Sequence, residues 1–406
     1  MSKHLKNKKV KKCLLCSHNK LKQIFYLGNF YVSNFVTKKN IKKNNIKCPL
    51  NLLLCPKCSL IQLSHIAPQE IMYRRHYWYK SGITKTMRNA LKELYLSSLD
   101  HVKINNNDTV LDIGANDGTL LKYYKKNYTT IGCEPAKNLQ KELKKNSDYL
   151  INNFWSYENF LKLSKKNNLK KPKIITAIGM FYDLENPNKF IRDAAKILDD
   201  NGIFIAQLMC LKSMIETNDI GNICHEHIEF YSLKSLKFLF ENNGLEIFKL
   251  EENNVNGGSY RIYCRKLSKG SIKLKKENIE SMMKKFVKRV ILNKKKTIDF
   301  ISKKNKEGKK IFLYGASTKG NTLLQYYDLS SKKIPYASER SPEKWGKYTI
   351  GTGIEILSEY ESRKLKPDYF LVTPWGFIEE FKKRESKWMK KGGKFILPFP
   401  KLRIVN

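Results

Sequence analysis

From Thr109 onward the chain repeats one rhythm: an apolar run, a glycine-bearing turn, then apolar positions at helical spacing. TVLDIGANDGTLLKYY is the first such unit, TTIGCEP brings a second strand, and KIITAIGMFYDLENPNKFIRDAAKIL a third strand and its helix. GIFIAQLM adds another strand, and SLKSLKFLFENNGLEIFKL a helix and strand. This alternation predicts a mainly parallel sheet with helices on both faces. The same rhythm returns in GKKIFLYGASTKGNTLLQYY, followed by strands in PDYFLVTPWGFIEEF and GGKFILPFP, so a second α/β unit is expected over 308–406. Upstream, helical spacing runs from about Ile83 to Leu99, just after an aromatic turn holding Tyr73, Tyr77 and Tyr79. Between the two α/β units, the stretch from Ile272 to about Glu307 is helical in pattern and dense in charge. It predicts a linker helix or a solvated arm.

The length, 406 residues, suits two or three domains, and 41% hydrophobic content is enough to build real cores. No apolar run is long enough for a transmembrane helix, and the basic N-terminus has no signal-peptide pattern, so a cytoplasmic location is expected. The formal net charge is +41. Lysine runs are scattered along the chain without interleaved aromatic rings, which argues for a lysine-biased composition over a nucleic-acid platform. A positive field would still draw in a phosphate-bearing small substrate.

Cys13-Leu-Leu-Cys16 and Cys55-Pro-Lys-Cys58 are two CxxC turns, each aiming two thiolates at one point. Together they complete the closed tetrahedral sulfur shell of structural zinc, with a redox pair as the rival reading. Cys48 falls outside the spacing and is read as a spare.

LDIGANDG departs from the dinucleotide fingerprint GxGxxG. Gly114 and Gly118 let the backbone turn closely around a ligand, with Asn116 and Asp117 between them. Asp112 ends the strand and can accept from an ammonium group. Glu134, twenty residues after Gly114, ends the next strand and can accept from both ribose hydroxyls. These features together fit S-adenosylmethionine better than a nicotinamide cofactor.

NICHEHIEFY places His225 and His227, two of seven histidines, on either side of Glu226. Imidazole is the side chain best suited to take a proton near neutral pH. As a metal site the trio lacks a visible third ligand.

At this point the chain resembles the sugar C-methyltransferases. The resemblance spans nearly all of it, through the paired CxxC with YLGNFYVSNF and LCPKCSLIQL, YWYKSG, VLDIGANDGTLL with GCEP, HEHIEFYSLKSL, NGGSYRIY and YGASTKGNTLL. It implies an α/β protein of three domains. These are a small zinc-binding domain over 1–66, a central class I methyltransferase domain with a Rossmann-like fold over 67–270, and a smaller Rossmann-like domain over 308–406. The charged helical linker occupies 271–307. Members methylate a carbon next to a ketone in nucleotide-linked deoxysugars, with S-adenosylmethionine as methyl donor, so a nucleotide-sugar substrate is implied and a membrane partner is not. His227 matches the family's base, Glu226 the acid beside it, and Tyr77 or Tyr79 a tyrosine near the reacting atoms.

Three departures stand out. Cys224 occupies the place of a family tyrosine, Gln207 that of an acid in some members, and AIGMFYD lacks an Asn and a His that others carry. In the implied mechanism His227 removes the proton α to the carbonyl, and Tyr77 or Tyr79, with His225, donates to the developing oxyanion. In the C-terminal unit, Gly315, Ser317, Lys319 and Asn321 of GASTKGN are the candidate substrate-phosphate ligands. The alternatives are O- or N-methylation of a related small molecule, an RNA methyltransferase or other nucleic-acid-binding zinc protein, and a zinc-stabilised scaffold with a degenerate pocket.

Overall fold

The computed structural model describes residues 6–41, 46–74 and 77–406. The first unit contains β1 (Lys8–Lys9), β2 (Lys22–Tyr31), β3 (Phe35–Val36), β4 (Lys47–Leu54), β5 (Ile61–Leu63) and β6 (His65–Ile66). Strict alternation along KCPLNLLL turns Cys48, Leu50, Leu52 and Leu54 of β4 into a core. Antiparallel pairing joins β2 to β4 and β4 to β5. The helix Lys85–Leu99 follows, two residues shorter at its start than the pattern predicts. Thr84 caps it by accepting from the Met87 amide, and Ser81–Ile83 form a separate 3-10 turn.

The central sheet is formed by β7 (Thr109–Ile113), β8 (Thr129–Cys133), β9 (Tyr149–Ile151), β10 (Pro172–Ile178), β11 (Ile203–Met209), β13 (Leu245–Asn253) and β14 (Ser259–Lys266), while β12 (Glu229–Phe230) lies apart from it. The order is β13-β14-β11-β10-β7-β8-β9, parallel from β11 to β9 and closed by the antiparallel pair β13 and β14. Every residue of β7 and β11 is buried, as continuous apolar strands covered by helices on both faces should be.

The C-terminal sheet contains β15 (Ile311–Tyr314), β16 (Tyr336–Glu339), β17 (Tyr348–Thr349), β18 (Glu355–Ser358), β19 (Tyr369–Val372), β20 (Lys394–Leu397) and β21 (Arg403–Val405). Its order is β21-β20-β19-β15-β16-β18-β17-β3. The last member comes from the first unit: Tyr348 of β17 pairs with Val36 of β3. In the same way β12 of the central unit joins the N-terminal sheet, Glu229 pairing with Gln62 of β5. The three units are therefore laced by backbone hydrogen bonds, which the linear boundaries read from the sequence do not convey.

The charged stretch after the central unit is a helix over Ile279–Lys306, and it is neither a solvated arm nor a plain linker. Ile279, Met283, Phe286, Val290, Asn293, Thr297 and Ile301 are buried at steps of three and four, one continuous stripe. The apolar members pack in one core with Leu50 and Leu52 of β4 and Leu313 and Leu371 of the C-terminal sheet. Five such side chains give roughly 10 kcal/mol of gross burial free energy. Lysine density hid this stripe, because the lysines occupy the opposite face.

In each α/β sheet the strand order reverses beside the first strand, next to β7 in one and β15 in the other. Ligands of open α/β sheets bind outside the carboxyl ends of the strands at such reversals. Here the two reversals face a common space.

Candidate active site and metal centre

The two CxxC turns are built alike. Ser17 donates its amide to the Cys13 carbonyl and Ser59 to that of Cys55, and both serines have positive φ, 56° and 63°. The turns bring all four Sγ atoms within 4.8 Å of one another, with Cys13 to Cys58 at 3.4 Å and Cys16 to Cys55 at 3.5 Å. A tetrahedral zinc with sulfur at ~2.3 Å needs S···S separations of about 3.8 Å, so the residues fit that ion. Among the described residues this is the one cluster of that kind. Cys48 lies elsewhere in the core.

A cavity of about 580 Å³ lies between the two strand-order reversals. On the central side Asp112, Gly114, Asn116 and Glu134 line it. Gly114 has φ 75°, and a Cβ there would lie 2.6 Å from Met180 Cγ, so the turn after β7 requires glycine. Glu134 Oε2 accepts the Asn116 amide at 3.0 Å and Oε1 the Ala136 amide at 2.8 Å. Each oxygen keeps capacity for a second donor. Burial pushes Glu134 above the ordinary carboxylate range. Burial also raises Asp112 to about 7, although Thr176 donates to its Oδ1 at 2.6 Å. The walls add Phe154, Trp155 and Met180. Such a site suits a nucleoside with a cationic tail: acceptors for hydroxyl and ammonium groups between apolar faces.

Asp117 and Gly118, expected beside these residues, are not on the cavity wall. Asp117 Oδ2 accepts the Gly82 amide at 2.8 Å and its Oδ1 the Thr119 hydroxyl at 2.6 Å, pinning the loop to the turn before the first long helix. Asn116 does part of the same work, accepting from the Ser81 amide at 3.0 Å and donating to the Tyr79 carbonyl at 3.1 Å. The Tyr77 backbone is clamped at both amide and carbonyl by Asn138, at 2.9 and 3.0 Å. Tyr77 and Tyr79 both reach the cavity.

His227 and Glu226 line the cavity; His225 does not. The His227 Nδ1–H donates to the Asn222 carbonyl at 2.7 Å, which leaves Nε2 with the lone pair. The ring meets Tyr182 edge-on, with centroids 4.5 Å apart. Burial and the nearby Lys319 ammonium hold His227 well below the ordinary imidazole range, so it is neutral at physiological pH. His225 is completely buried and its Nε2–H donates to the Cys48 carbonyl at 2.9 Å, so it serves the core and contributes no donor to the cavity. His225 and Glu226 form a tight turn, closed by the His227 amide donating to the Cys224 carbonyl at 3.3 Å, and this turn sends the two rings to different places.

Cys224 is fully buried and off the wall, so no thiol stands in for the absent tyrosine. Gln207 lines the cavity, but its Oε1 already accepts from Arg261 Nε at 2.9 Å.

The C-terminal side brings Gly315, Ser317 and Lys319 to the wall. Ser317 caps the helix Thr318–Tyr326 through the Gly320 amide. Asn321 points into the interior, 1% exposed, and is not a wall residue. Lys319 Nζ donates to Asn222 Oδ1 at 3.1 Å, beside His227, a place different from the loop-bound phosphate role read from the sequence.

The sequence reading missed several cavity residues. Glu339 ends β16 and accepts the Ala316, Arg340 and Ser341 amides, each at 2.8 Å, the counterpart of Glu134 in the second sheet. The repeated strand, glycine turn and helix could have prompted a search for it. Asp183, in the AIGMFYD segment, also lines the cavity. Asp219 accepts from Trp375 Nε1 at 2.9 Å, a contact between units that no local pattern announces.

Three family models match in order: a zinc binding domain over residues 13–73, a methyltransferase domain over 83–250, and a C-methyltransferase C-terminal domain over 254–400. The C-methyltransferase NovU of Streptomyces niveus is 23% identical over 385 residues, covering 88% of this chain and 88% of NovU. Among solved structures, the mycolic acid cyclopropane synthase CmaA1, complexed with SAH and CTAB, matches with a TM-score of 0.35 and 14% identity, over 48% of this chain and 90% of that one. The N-methyltransferase NodS of Bradyrhizobium japonicum WM9 matches with a TM-score of 0.34 and 11% identity, over 45% of this chain and 96% of that one.

Proposed function

We propose that this chain, which belongs to the three-domain S-adenosylmethionine-dependent C-methyltransferases and carries their zinc-binding domain, methylates the carbon α to a ketone in a nucleotide-linked deoxysugar. The observation that carries the reading is the state of His227: buried, neutral, its tautomer set by the Asn222 carbonyl, its Nε2 without a hydrogen-bond partner among the described residues. That is the form of imidazole needed to take a proton from a carbon acid.

In this reading Asp112 holds the cofactor's ammonium group and Glu134 its ribose, with Gly114 and Asn116 shaping the loop around it. When bound, S-adenosylmethionine supplies a methyl group on a positively charged sulfur, which leaves as a neutral thioether. His227 removes the α-proton, Glu226 faces the same space, and Tyr77 or Tyr79 orients the acceptor. Zinc acts on structure alone, since four thiolates leave it no open position. Enclosure between the two sheets excludes water from the enolate. The net charge of +41 over the whole chain favours arrival of a phosphate-bearing acceptor, and Gly315 and Ser317 are the wall residues of the second unit that its nucleotide would meet. A cytoplasmic setting accords with such acceptors, and no helix among the described residues is long and apolar enough to cross a membrane.

The test uses methyl-13C S-adenosylmethionine with a panel of nucleotide-linked 4-keto-6-deoxysugars and carbon NMR of the products. A new methyl resonance on carbon is expected. A methyl on oxygen or nitrogen overturns the enolate route, and no product from any panel member overturns the acceptor class.

A further inference from the structure

We propose that Lys319 is the group that stabilises the acceptor's enolate oxygen, a cation delivered to the central domain by the C-terminal one. The inference rests on the enolate reading above.

The argument starts at Asn222, which holds two things at once. Its main-chain carbonyl fixes His227 through Nδ1–H at 2.7 Å, and its side-chain Oδ1 accepts from Lys319 Nζ at 3.1 Å. Base and cation are thus set by one residue, as a proton acceptor and an oxyanion partner for two bonded atoms, the α-carbon and the carbonyl carbon, require. An ammonium has three N–H donors. One goes to Asn222 and a second to Met209 Sδ at 3.4 Å, a weak acceptor, so at least one is available to the cavity that Lys319 lines.

Tyr77 and Tyr79 stand on the wall as neutral donors, but two other tyrosines are already engaged. Tyr73 spends its hydroxyl on the Glu226 carbonyl at 2.8 Å, and Tyr182 donates to the Gly179 carbonyl at 2.8 Å. Cys224 is off the wall. Among these side chains Lys319 alone brings positive charge beside His227, and a charge-assisted hydrogen bond is about twice as strong as a neutral one. Asp183, Asp219, Glu226 and Cys224 all lie within its electrostatic reach. Asn222, the partner of the lysine, is itself anchored: its Nδ2 donates to Asp219 at 3.3 Å, and Asp219 also accepts from Trp375 of the C-terminal unit.

In the step itself, His227 Nε2 takes the α-proton, the C–H electron pair becomes the C=C bond of the enolate, and the carbonyl π pair moves onto oxygen, which accepts a hydrogen bond from Lys319. The C=C pair would then form the new C–C bond with the methyl of the bound donor, the broken S–CH3 pair would stay on sulfur as a neutral thioether, and the oxygen pair would restore the carbonyl. Lys319 keeps its proton throughout, and His227 releases its proton to solvent.

The experiment separates enolate formation from methyl transfer. The acceptor methylated in the NMR assay is incubated with enzyme in D2O without S-adenosylmethionine, and deuterium entry at the α-position is followed. Wild type is expected to exchange. Lys319→Met is expected to lose ~100-fold or more in exchange at saturating acceptor, with S-adenosylmethionine affinity and zinc content unchanged. Lys319→Arg should recover part of the rate. If Lys319→Met fails to fold, Lys319→Gln makes the same test. Because the cation holds the His227 pKa down, the acid limb of the exchange profile should also move to higher pH in the neutral variants, with Asp183, Asp219 and Glu226 left in place. Unchanged exchange at saturation with a raised KM would overturn the proposal and return Lys319 to substrate binding. Methylation by wild type without exchange would instead defeat the enolate reading itself.

Discussion

Lowering the pH should destabilise the protein in part through His225, although that ring never meets the cavity. Its Nε2–H is bonded to the Cys48 carbonyl, its Nδ1 has no partner among the described residues, and burial brings its pKa from 6.5 to about 4 against the opposing pull of that carbonyl. The unfolded chain therefore binds this proton first as pH falls. Stability rises with pH wherever the unfolded state holds more protons, so this contribution is complete above pH ~6.5 and is lost down to pH ~4. A shift of about 2.5 pH units is worth about 3 kcal/mol in full, and about 2.5 kcal/mol of it is gone by pH ~4.5. His227 and the zinc thiolates add acid sensitivity of their own, so the measured quantity is the difference between wild type and His225→Gln. Glutamine keeps a donor for the Cys48 carbonyl and does not titrate. Urea denaturation followed by tryptophan fluorescence should find the variant less stable by ~1 kcal/mol at pH ~7.5, with the order reversed near pH ~4.5. Parallel curves across that window would refute the buried-neutral assignment. At pH ~7.5 methyl transfer by His225→Gln should stay within about threefold of wild type, whereas His227→Gln should lose ~100-fold.

Purified protein should contain one zinc per chain by elemental analysis, and chelation should lower Tm and activity together, because β12 pairs the zinc unit to the segment bearing His227; a chelated protein with unchanged Tm would contradict this. Glu134→Ala should weaken S-adenosylmethionine binding by ~100-fold in calorimetric titration, from the loss of charged hydrogen bonds, and an unchanged Kd would remove it from the cofactor site. In the long helix, Phe286→Ala should cost about 3–5 kcal/mol in denaturant unfolding and Ile291→Ala, 53% exposed, less than about 0.5 kcal/mol; equal effects would mean the helix is not the spine of the shared core.

The local patterns were the legible part. Period-two and helical spacing, the CxxC pairs and LDIGANDG carried the α/β units, the cluster of four cysteines and the glycine loop of which Gly114 and Asn116 reach the cavity, because each depends on residues close in sequence. What stayed hidden depends on distant partners. Nothing in NICHEHIEFY says that His225 will meet a carbonyl in β4 while His227 meets the cavity, since the Cys48 carbonyl is 177 residues away in sequence and a turn at His225–Glu226 parts the two rings. Asp117 reads as a ligand residue until the Gly82 amide is seen to occupy it. The helix Ile279–Lys306 reads as solvated because its 12 charged residues slightly outnumber its 11 apolar ones, and only the packing of Phe286 and Val290 reveals the stripe. Lys319 was placed by its glycine loop, but a lysine reaches several ångströms past its own backbone, and its function is decided where the ammonium lands.

That reach also explains why the second α/β unit cannot be treated as a detachable substrate clamp. Glu134 and Glu339 do the same job in their two sheets, each accepting amides of its own glycine loop, so each unit can shape its own crevice alone. On the proposed mechanism, neither unit alone assembles base and cation: His227 and Asn222 come from the central domain, while Lys319 and Trp375 come from the C-terminal one. The antiparallel strand that β3 lends to β17 fixes the C-terminal sheet to the zinc unit, and β12 fixes the zinc unit to the catalytic segment. Position errors near 1 Å at a reacting centre can cost ~100-fold in rate. The lacing through the zinc unit therefore has a catalytic consequence: it holds the spacing between Lys319 and His227, and a metal without open coordination sites influences a reaction it never touches.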